Sequence, residues 1–518
     1  MPCITKKRIV AIWPVCCLLL LACTGRFKAA AQQRVMILPV NTHKVYQTIH
    51  NFGASDAWSC QFVGAWPNEA KNAIADWLFS TDTLPNGNPK GIGLSLWRYN
   101  LGAGSTQQGD SSGIKDSWRR AESFFDEEGH YNWQRCQGQQ WFLTAAKQRG
   151  VQQFLGFFNS PPVPYTQNGK AYATKGRCNI SSDKYDDFAR YTVNVVQHIR
   201  QATGIAFNYI SPVNEPQWNW SDGGQEGCPY TNSDISRLVK AFNTAFEQNE
   251  LSTQLIVPEA GSLVYLAEKG DKPGKGSQVN YFFEPSSPGA IGHLSHVKKV
   301  IAGHSYFTTS PFTRAIALRK KLAQQVAGVK GLSYWQSEYC ILGDNAGEIN
   351  GSGKDTGMQA ALYLARCIHA DLVAGNAAAW QWWMAISPYN YKDGLIYIDK
   401  NVTGGRYTDS KMLWALGNYS RLVRPGMQRV AVQGADSAGL LSSAYIDAAA
   451  KKLVVVVINN SQATRQLVIG DATGKPLANT TAWNTFTTSA TARLDKQVQY
   501  ENRFAVLPNS IVTIETKY

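Results

Sequence analysis

Eight short apolar runs recur through the middle of this sequence, most of them ending in a polar residue, with stretches of helical spacing between them. They are "NFGASD" (51–56), "GLSLWRYN" (93–100), "VQQFLGFFNS" (151–160), "FNYISPVNE" (207–215), "TQLIVPE" (253–259), "KVIAGHSY" (299–306), "LSYWQSE" (332–338) and "AAAWQWW" (377–383). The segment "DKYDDFARYTVNVVQHIRQATG" is typical of what lies between, with Tyr185, Phe188, Tyr191, Val195 and Ile199 at helical spacing. Eight strand–helix alternations predict an α/β fold, a parallel (β/α)8 barrel. Such barrels place their chemistry at the C-terminal strand ends, which here carry Asp56, Arg98, Asn159, Asn214 with Glu215, Glu259, Tyr306, Glu338 and Trp383.

Beyond about residue 424 the helical period disappears and short β-rich runs such as "KKLVVVVINNS" and "NRFAVLPNSIVTIETKY" take over. This segment, 424–518, reads as an antiparallel β-sandwich. The strand-like segment 34–49 precedes the barrel and is expected to join that sandwich, leaving 50–423 as the (β/α)8 catalytic barrel.

The first 31 residues read differently. Lys6, Lys7 and Arg8 precede the apolar run "IVAIWPVCCLLLLAC", too short for a comfortable membrane span, so 1–31 is expected to be an export signal and short tether. "LLAC" at 20–23 resembles a bacterial lipobox, which would make Cys23 a lipid-modified N-terminus. The alternative is ordinary cleavage near Ala29–Ala31, which the nearby Arg26 and Lys28 disfavour. The expected location is thus periplasmic or outer-membrane-anchored in a bacterium, or secreted if Cys23 is not lipidated, with membrane contact only through that anchor.

Net charge is +14, yet Lys and Arg are scattered without a dense basic stripe, so no nucleic-acid partner is expected. Sixteen Trp and 23 Tyr fit a carbohydrate binder, because indole and phenol faces stack on the C–H faces of sugars. Six cysteines lie beyond the signal (Cys60, Cys136, Cys178, Cys228, Cys340, Cys367), with no CxxC pair and no HExxH, so neither metal nor cofactor is expected. Cys178 and Cys228 fall in loops after the third and fourth strands, neighbours in a barrel, and form a disulfide candidate.

Glu215 and Glu338 end the fourth and seventh predicted strands, close enough across a barrel mouth to reach one sugar. Cleavage of a glycosidic bond with retention needs two carboxyl groups about 5–5.5 Å apart, one attacking and one donating a proton. Arg98 and Tyr306 are expected to hold Glu338 ionised as the nucleophile. Glu215, with no such partner and close to a second negative charge, is expected to be the acid/base with a raised pKa. Asn214 would bind a sugar 2-hydroxyl, and Trp218 and Trp220 would wall the leaving-group side. Glu259 reads either as a supporting or substrate-contacting residue or as a structural carboxylate at the rim, and His304 either as pocket lining or as a packed histidine.

At this point the sequence resembles glycoside hydrolase family 30, a family of clan A retaining glycosidases, over about 34–518. The resemblance rests on "NFGASDAW", "WRYNLGAGS", "FNSPPVPYTQNGK", "VNEP", "WQSEYC", "WQWW" and "FAVLPNSIVTI". It implies Glu215 as acid/base and Glu338 as nucleophile. Around the first sugar it implies Asp56, Arg98, Phe158 or Asn159, Asn214, Tyr306, Trp380 and Trp383. Val163-Pro164-Tyr165 depart from the family's Trp-Met pair, with Tyr165 a substitute stacking platform. The pattern is most similar to the endo-β-1,6-galactanase branch; β-1,6-glucan and xylan are the other substrates considered. A monomeric endo-acting hydrolase of a polysaccharide is therefore expected. The competing classes are a non-catalytic glycan-binding lipoprotein, against which both carboxylates speak, and a binder of acidic glycans, against which the aromatic strand ends speak.

Overall fold

The structure is a computed structural model that describes residues 35–126, 128–434, 436, 439–478 and 482–518. The expected export signal and Cys23 lie outside the described residues. No helix among the described residues is long and apolar enough to cross a membrane.

A strand β1 (Met36–Thr48) comes first, followed by the eight strands of a closed parallel barrel. These are β2 (Asn51–Ser55), β3 (Leu96–Asn100), β4 (Gln153–Phe157), β5 (Tyr209–Ser211), β6 (Gln254–Ala260), β7 (Val297–His304), β8 (Ser333–Glu338) and β9 (Ala379–Ser387). β9 pairs in parallel with β2 on one side and β8 on the other, which closes the ring. Helices cover the outside, so β2 and β3 are buried at every position. Such strands read as continuous apolar runs, because neither face meets water. The helix Tyr185–Thr203 buries Tyr185, Phe188, Tyr191, Val195 and Ile199 and ends at Gly204, whose φ of 67° suits a residue without Cβ.

The distal half of β9 also pairs with β10 (Gly394–Ile398), which in turn pairs with β11 (Tyr407–Asp409). Neither extra strand was expected from the sequence. The helix Lys411–Ser420 then leads into the second sheet.

That sheet comprises β12 (Gln428–Val432), β13 (Leu440–Asp447), β14 (Lys452–Asn459), β15 (Arg465–Gly470), β16 (Trp483–Thr488), β17 (Arg493–Gln499), β18 (Phe504–Val506) and β19 (Ser510–Lys517), with β1 inserted. Its order is β17-β16-β19-β14-β13-β12-β1-β15-β18. Pairing is antiparallel except where β1 runs parallel to β15. The sheet curls around a core that includes Leu38, Val40, Ile446, Val455, Ile469, Trp483, Phe504 and Ile514. β14 explains the unbroken "LVVVVI": Leu453, Val455 and Val457 enter this core, whereas Val454, Val456 and Ile458 join the barrel's core. Each such valine contributes about 1.5–3 kcal/mol on burial. The junction is pinned by polar contacts, with Asn418 Nδ2 donating to Phe486 O at 3.0 Å and Thr513 Oγ1 donating to Asn418 O at 2.8 Å.

Candidate active site

Glu338 is the last residue of β8, and its side chain is held from two other strands. Arg98 of β3 donates from Nη1 to Oε2 at 2.9 Å, and the Tyr306 hydroxyl, just past β7, donates to Oε1 at 3.1 Å. The guanidinium lies over the Phe157 ring at 4.3 Å, which fixes it from below.

Glu215 lies four residues past the end of β5. Its φ of 45° is in the left-handed region, disfavoured for a glutamate, and such strain collects at functional sites. The conformation is held by its own main chain. Its N–H donates to Glu259 O at 2.8 Å, and its carbonyl accepts from Trp218 N at 3.2 Å and Trp220 Nε1 at 3.0 Å. Burial raises the Glu215 carboxyl above the ordinary range, against the opposing hydrogen bond and charge of His304.

His304, the last residue of β7, links these groups. Its Nδ1 lies 3.0 Å from Glu215 Oε1 and 3.5 Å from Glu338 Oε1, and its Nε2 lies 3.2 Å from Glu259 Oε2. Burial alone would lower its pKa; the Glu338 charge and the bonds to Glu215 and Glu259 outweigh burial and raise it to about 10. His304 is therefore a cation at neutral pH. Burial pushes Glu259 up, but His304, the charge of Arg98 and the Ser211 hydroxyl bring it down to about 2. Ser337 donates to the same Glu259 carboxylate.

One oxygen of Glu215, one of Glu338 and a nitrogen of His304 all lie within 4.8 Å of one another. Such clusters can bind metals, but a histidine donating through both nitrogens has no lone pair to offer. The separation fits a retaining pair, about 5–5.5 Å between carboxyl groups, rather than an inverting pair at about 6.5–9.5 Å.

The two carboxyls face a cavity of about 330 Å³, also lined by Asn214, Tyr306 and Trp383, and by Trp218, Trp220, Gln225, Phe307 and Leu342 at its mouth. Several buried polar atoms in and around it have no hydrogen-bond partner among the described residues: Asn214 Oδ1, Arg98 Nε and Nη2, Trp58 Nε1 and both amide atoms of Asn159. Buried groups of this kind are normally satisfied, and sugar hydroxyls can both donate and accept.

Of the residues expected around the first sugar, Asn214, Tyr306 and Trp383 line the cavity, as does Trp218 on the leaving-group side. Arg98 supports Glu338 from beneath. Trp383 reaches the cavity by the ordinary alternation of a strand: Trp380 and Trp382 stack together on the outer face, whereas Gln381 bonds Asn51 inside the barrel and Trp383 follows it on that inner face.

Four residues expected around the bound sugar lie outside the cavity lining. Asp56 accepts from Asn100 N at 2.7 Å and Gln139 Nε2 at 3.0 Å, and burial lifts it to about 7; it supports the strand ends and does not line the cavity. Phe158 packs against Phe188, at 4.8 Å, on a surrounding helix. Trp380 points to the helical layer, where Nε1 donates to Asp371 at 3.0 Å and the ring stacks on Trp382. Tyr165 packs against Phe125 and is absent from the cavity lining.

Cys178 and Cys228 are free thiols here, Cys178 Sγ donating to Ile180 O at 3.4 Å and Cys228 Sγ to Pro229 O at 3.7 Å, and they lie near enough to influence each other's ionisation. Cys340 is buried, and burial pushes its thiol up, which disfavours nucleophilic attack. Sequence reasoning missed Gln225, Phe307 and Leu342, and left open the joint role of His304 and Glu259. The only sequence signal for His304 is its position two residues before Tyr306, on the same strand face.

Comparisons with known proteins bear on the fold and the family. An endo-β-1,6-galactanase of Hypocrea rufa is 26% identical over 485 residues, spanning 89% of this chain and 88% of that one. The structure of a conserved exported protein from Bacteroides fragilis is 32% identical, with a TM-score of 0.85 over 93% of this chain and 100% of that one. The catalytic domain of xylanase C from Talaromyces cellulolyticus, 18% identical, shares the fold with a TM-score of 0.68 over 93% of this chain and 100% of that one. Residues 34–397 match the model of O-glycosyl hydrolase family 30, and the chain belongs to that family as a retaining glycoside hydrolase.

Proposed function

We propose that this chain is an exported endo-β-1,6-galactanase in which Glu338 is the nucleophile and Glu215 the acid/base. The observation that carries the roles is the contrast between the two carboxyls. Glu338 is ion-paired with Arg98 and hydrogen-bonded by Tyr306, whereas burial favours the protonated form of Glu215.

In the first step a Glu338 oxygen attacks the anomeric carbon while Glu215 gives its proton to the departing glycosidic oxygen. A covalent glycosyl-enzyme forms, and the leaving sugar departs with a new hydroxyl. His304 then donates to a newly ionised Glu215, which stabilises the charge as it appears. In the second step Glu215 removes a proton from water, the water oxygen attacks the anomeric carbon, and Glu338 leaves. Arg98 and Tyr306 receive the returning negative charge on Glu338.

The substrate assignment is supported by the endo-β-1,6-galactanase relative, whose similarity spans both chains, and by the aromatic mouth of the cavity. Export is supported by the charged and apolar pattern of residues 1–31 and by the exported relative.

The test is digestion of β-1,6-galactan, β-1,6-glucan and xylan, with products resolved by size and Glu338→Gln as control. Early release of galacto-oligosaccharides of several lengths, with the anomeric configuration retained, is expected. Cleavage of glucan or xylan but not galactan would overturn the substrate, release of galactose alone would overturn endo action, and full activity of Glu338→Gln would overturn the nucleophile.

A further inference from the structure

Phe307 follows Tyr306 in a tight turn at the mouth of the cavity. The Ser305 carbonyl accepts from both Thr308 N, at 3.2 Å, and Thr308 Oγ1, at 2.8 Å, so Phe307 occupies the third position of a clamped four-residue turn. Its φ is 61°. A left-handed residue at that position is ordinarily glycine or asparagine, and a bulky aromatic there is disfavoured. The ring is also 68% exposed, so it adds little to the core. A strained backbone that presents a large apolar ring to water runs against folding stability, and such positions are kept where something binds.

The neighbours say what side of the reaction the ring serves. Phe307 meets Trp218 at 5.8 Å between ring centres and 88° between planes. Trp218 and Trp220 are both hydrogen-bonded to the main-chain carbonyl of Glu215. The aromatic corner therefore belongs to the flank of the proton donor. Arg98 and Tyr306 hold the opposing carboxylate, and Trp383 is anchored to the chain just past it through Trp383 N and Tyr339 O at 2.9 Å. A proton passes to the oxygen that leaves, so the sugar carrying that oxygen lies against the walls around Glu215.

We propose that Phe307 is the stacking platform for the leaving-group sugar, an uncharged pyranose that presents its C–H face to the ring, and that it controls whether the glycosyl-enzyme is passed to an acceptor sugar or to water. This rests on the reading of Glu215 as the acid/base. Phe307 and Trp218 form two perpendicular walls, so the ring of one can meet a sugar's face while the other meets its edge. The same site receives an incoming acceptor sugar in the reverse direction, because the acceptor hydroxyl takes the place of the departing oxygen.

The test uses Phe307→Asn, which suits the left-handed turn while removing the ring, and Phe307→Tyr, which keeps it. Each is compared with the unaltered enzyme on the polymer and on the β-disaccharyl fluoride of the same sugar, whose leaving group is too small to touch the platform. For Phe307→Asn, kcat/KM on the polymer is expected to fall about tenfold, the size of one lost ring contact. Its kcat/KM on the fluoride stays within about twofold, since no ring contact is lost there. The ratio of transfer products to hydrolysis falls in parallel with the polymer rate, and Phe307→Tyr restores both. Equal losses on polymer and fluoride, or an unchanged transfer ratio, would overturn the proposal.

The parent reading fails separately. If galactan is not the polymer cleaved, the comparison is made with the fluoride of the polymer that is, and Phe307 is still decided. If Glu215→Gln releases fluoride in its first turnover no faster than Glu338→Gln, the acid/base assignment falls instead.

Discussion

His304 stands between two carboxylates with opposite shifts: its Nδ1 is 3.0 Å from Glu215 Oε1 and its Nε2 is 3.2 Å from Glu259 Oε2. Both glutamates are buried, yet Glu215 is raised and Glu259 falls to about 2. The difference lies in their donors and charges. Glu259 receives Ser211, Ser337 and His304 and feels the charge of Arg98, whereas Glu215 faces the cavity and burial prevails. Glu259 thus keeps a cation on His304, and that cation limits how far Glu215 rises.

Glu259→Gln removes this restraint. His304 loses one of the partners that raise it to about 10, and the weakened cation opposes the Glu215 rise less. The first step needs protonated Glu215, so a higher pKa extends activity to higher pH. The descending limb of kcat/KM against pH is therefore expected to move upward. The second step, which needs the ionised form, slows near neutrality. A descending limb that stays in place would show that Glu259 does not act through His304.

Tyr306→Phe deletes the 3.1 Å hydrogen bond to Glu338 and nothing else of comparable strength. A hydrogen bond to a charged group is worth about 1.5–3 kcal/mol, so kcat/KM is expected to fall roughly 10–150-fold. The melting temperature should move little, because the phenyl ring still fills its place beside Tyr339, 5.7 Å away. A large loss of stability, with activity falling only as the folded fraction falls, would assign Tyr306 to packing.

Glu215→Ala leaves Glu338 and its two donors intact while removing the proton donor and base. Turnover of the polymer is expected to fall by about 10²–10⁴-fold. Azide, a small anionic nucleophile that needs no base, should enter the vacated space, restore turnover of an activated substrate and yield the glycosyl azide of retained configuration. A product of inverted configuration would mean that azide had displaced the leaving group directly, in one step and with no covalent intermediate, making Glu215 the nucleophile.

The barrel was legible because its strands are covered on both sides, which leaves continuous apolar runs such as the fully buried β2 and β3. The carboxylates were legible because Glu338 ends such a run and Glu215 follows one within four residues. What a strand end does not reveal is direction. Asp56 ends β2 as conspicuously as Glu338 ends β8, but Asn100 N and Gln139 satisfy it inside the wall. In β9 Trp380 and Trp383 are three apart, so strand alternation puts them on opposite faces, Trp380 toward Asp371 and Trp383 toward the cavity; the run of tryptophans does not say which face is which. The His304–Glu259 contact joins β7 to β6, and Phe307 depends on a backbone conformation that phenylalanine does not signal. Both are products of tertiary geometry.

Cys178 and Cys228 supply a last prediction. Their thiols lie near enough to influence each other's ionisation, with Cys228 Sγ also accepting from Asn179 N at 3.3 Å, so little movement separates them from a bond. The pair brackets β5, Glu215 and the walls formed by Trp218 and Trp220. In an oxidising compartment outside the cytoplasm, closing this loop of about 50 residues would stabilise the fold by about 4 kcal/mol in the chain-entropy account. The oxidised protein is expected to yield a tryptic species joining the two peptides that reductant separates, and to melt several degrees above its reduced form. Cys228→Ser should melt with the reduced protein and not respond to reductant. Identical peptide masses with and without reductant would show that the thiols stay free, and the loop carrying Glu215 would then be held by its hydrogen bonds, among them Glu215 N to Glu259 O, Tyr230 N to Pro216 O and Lys275 Nζ to Pro216 O.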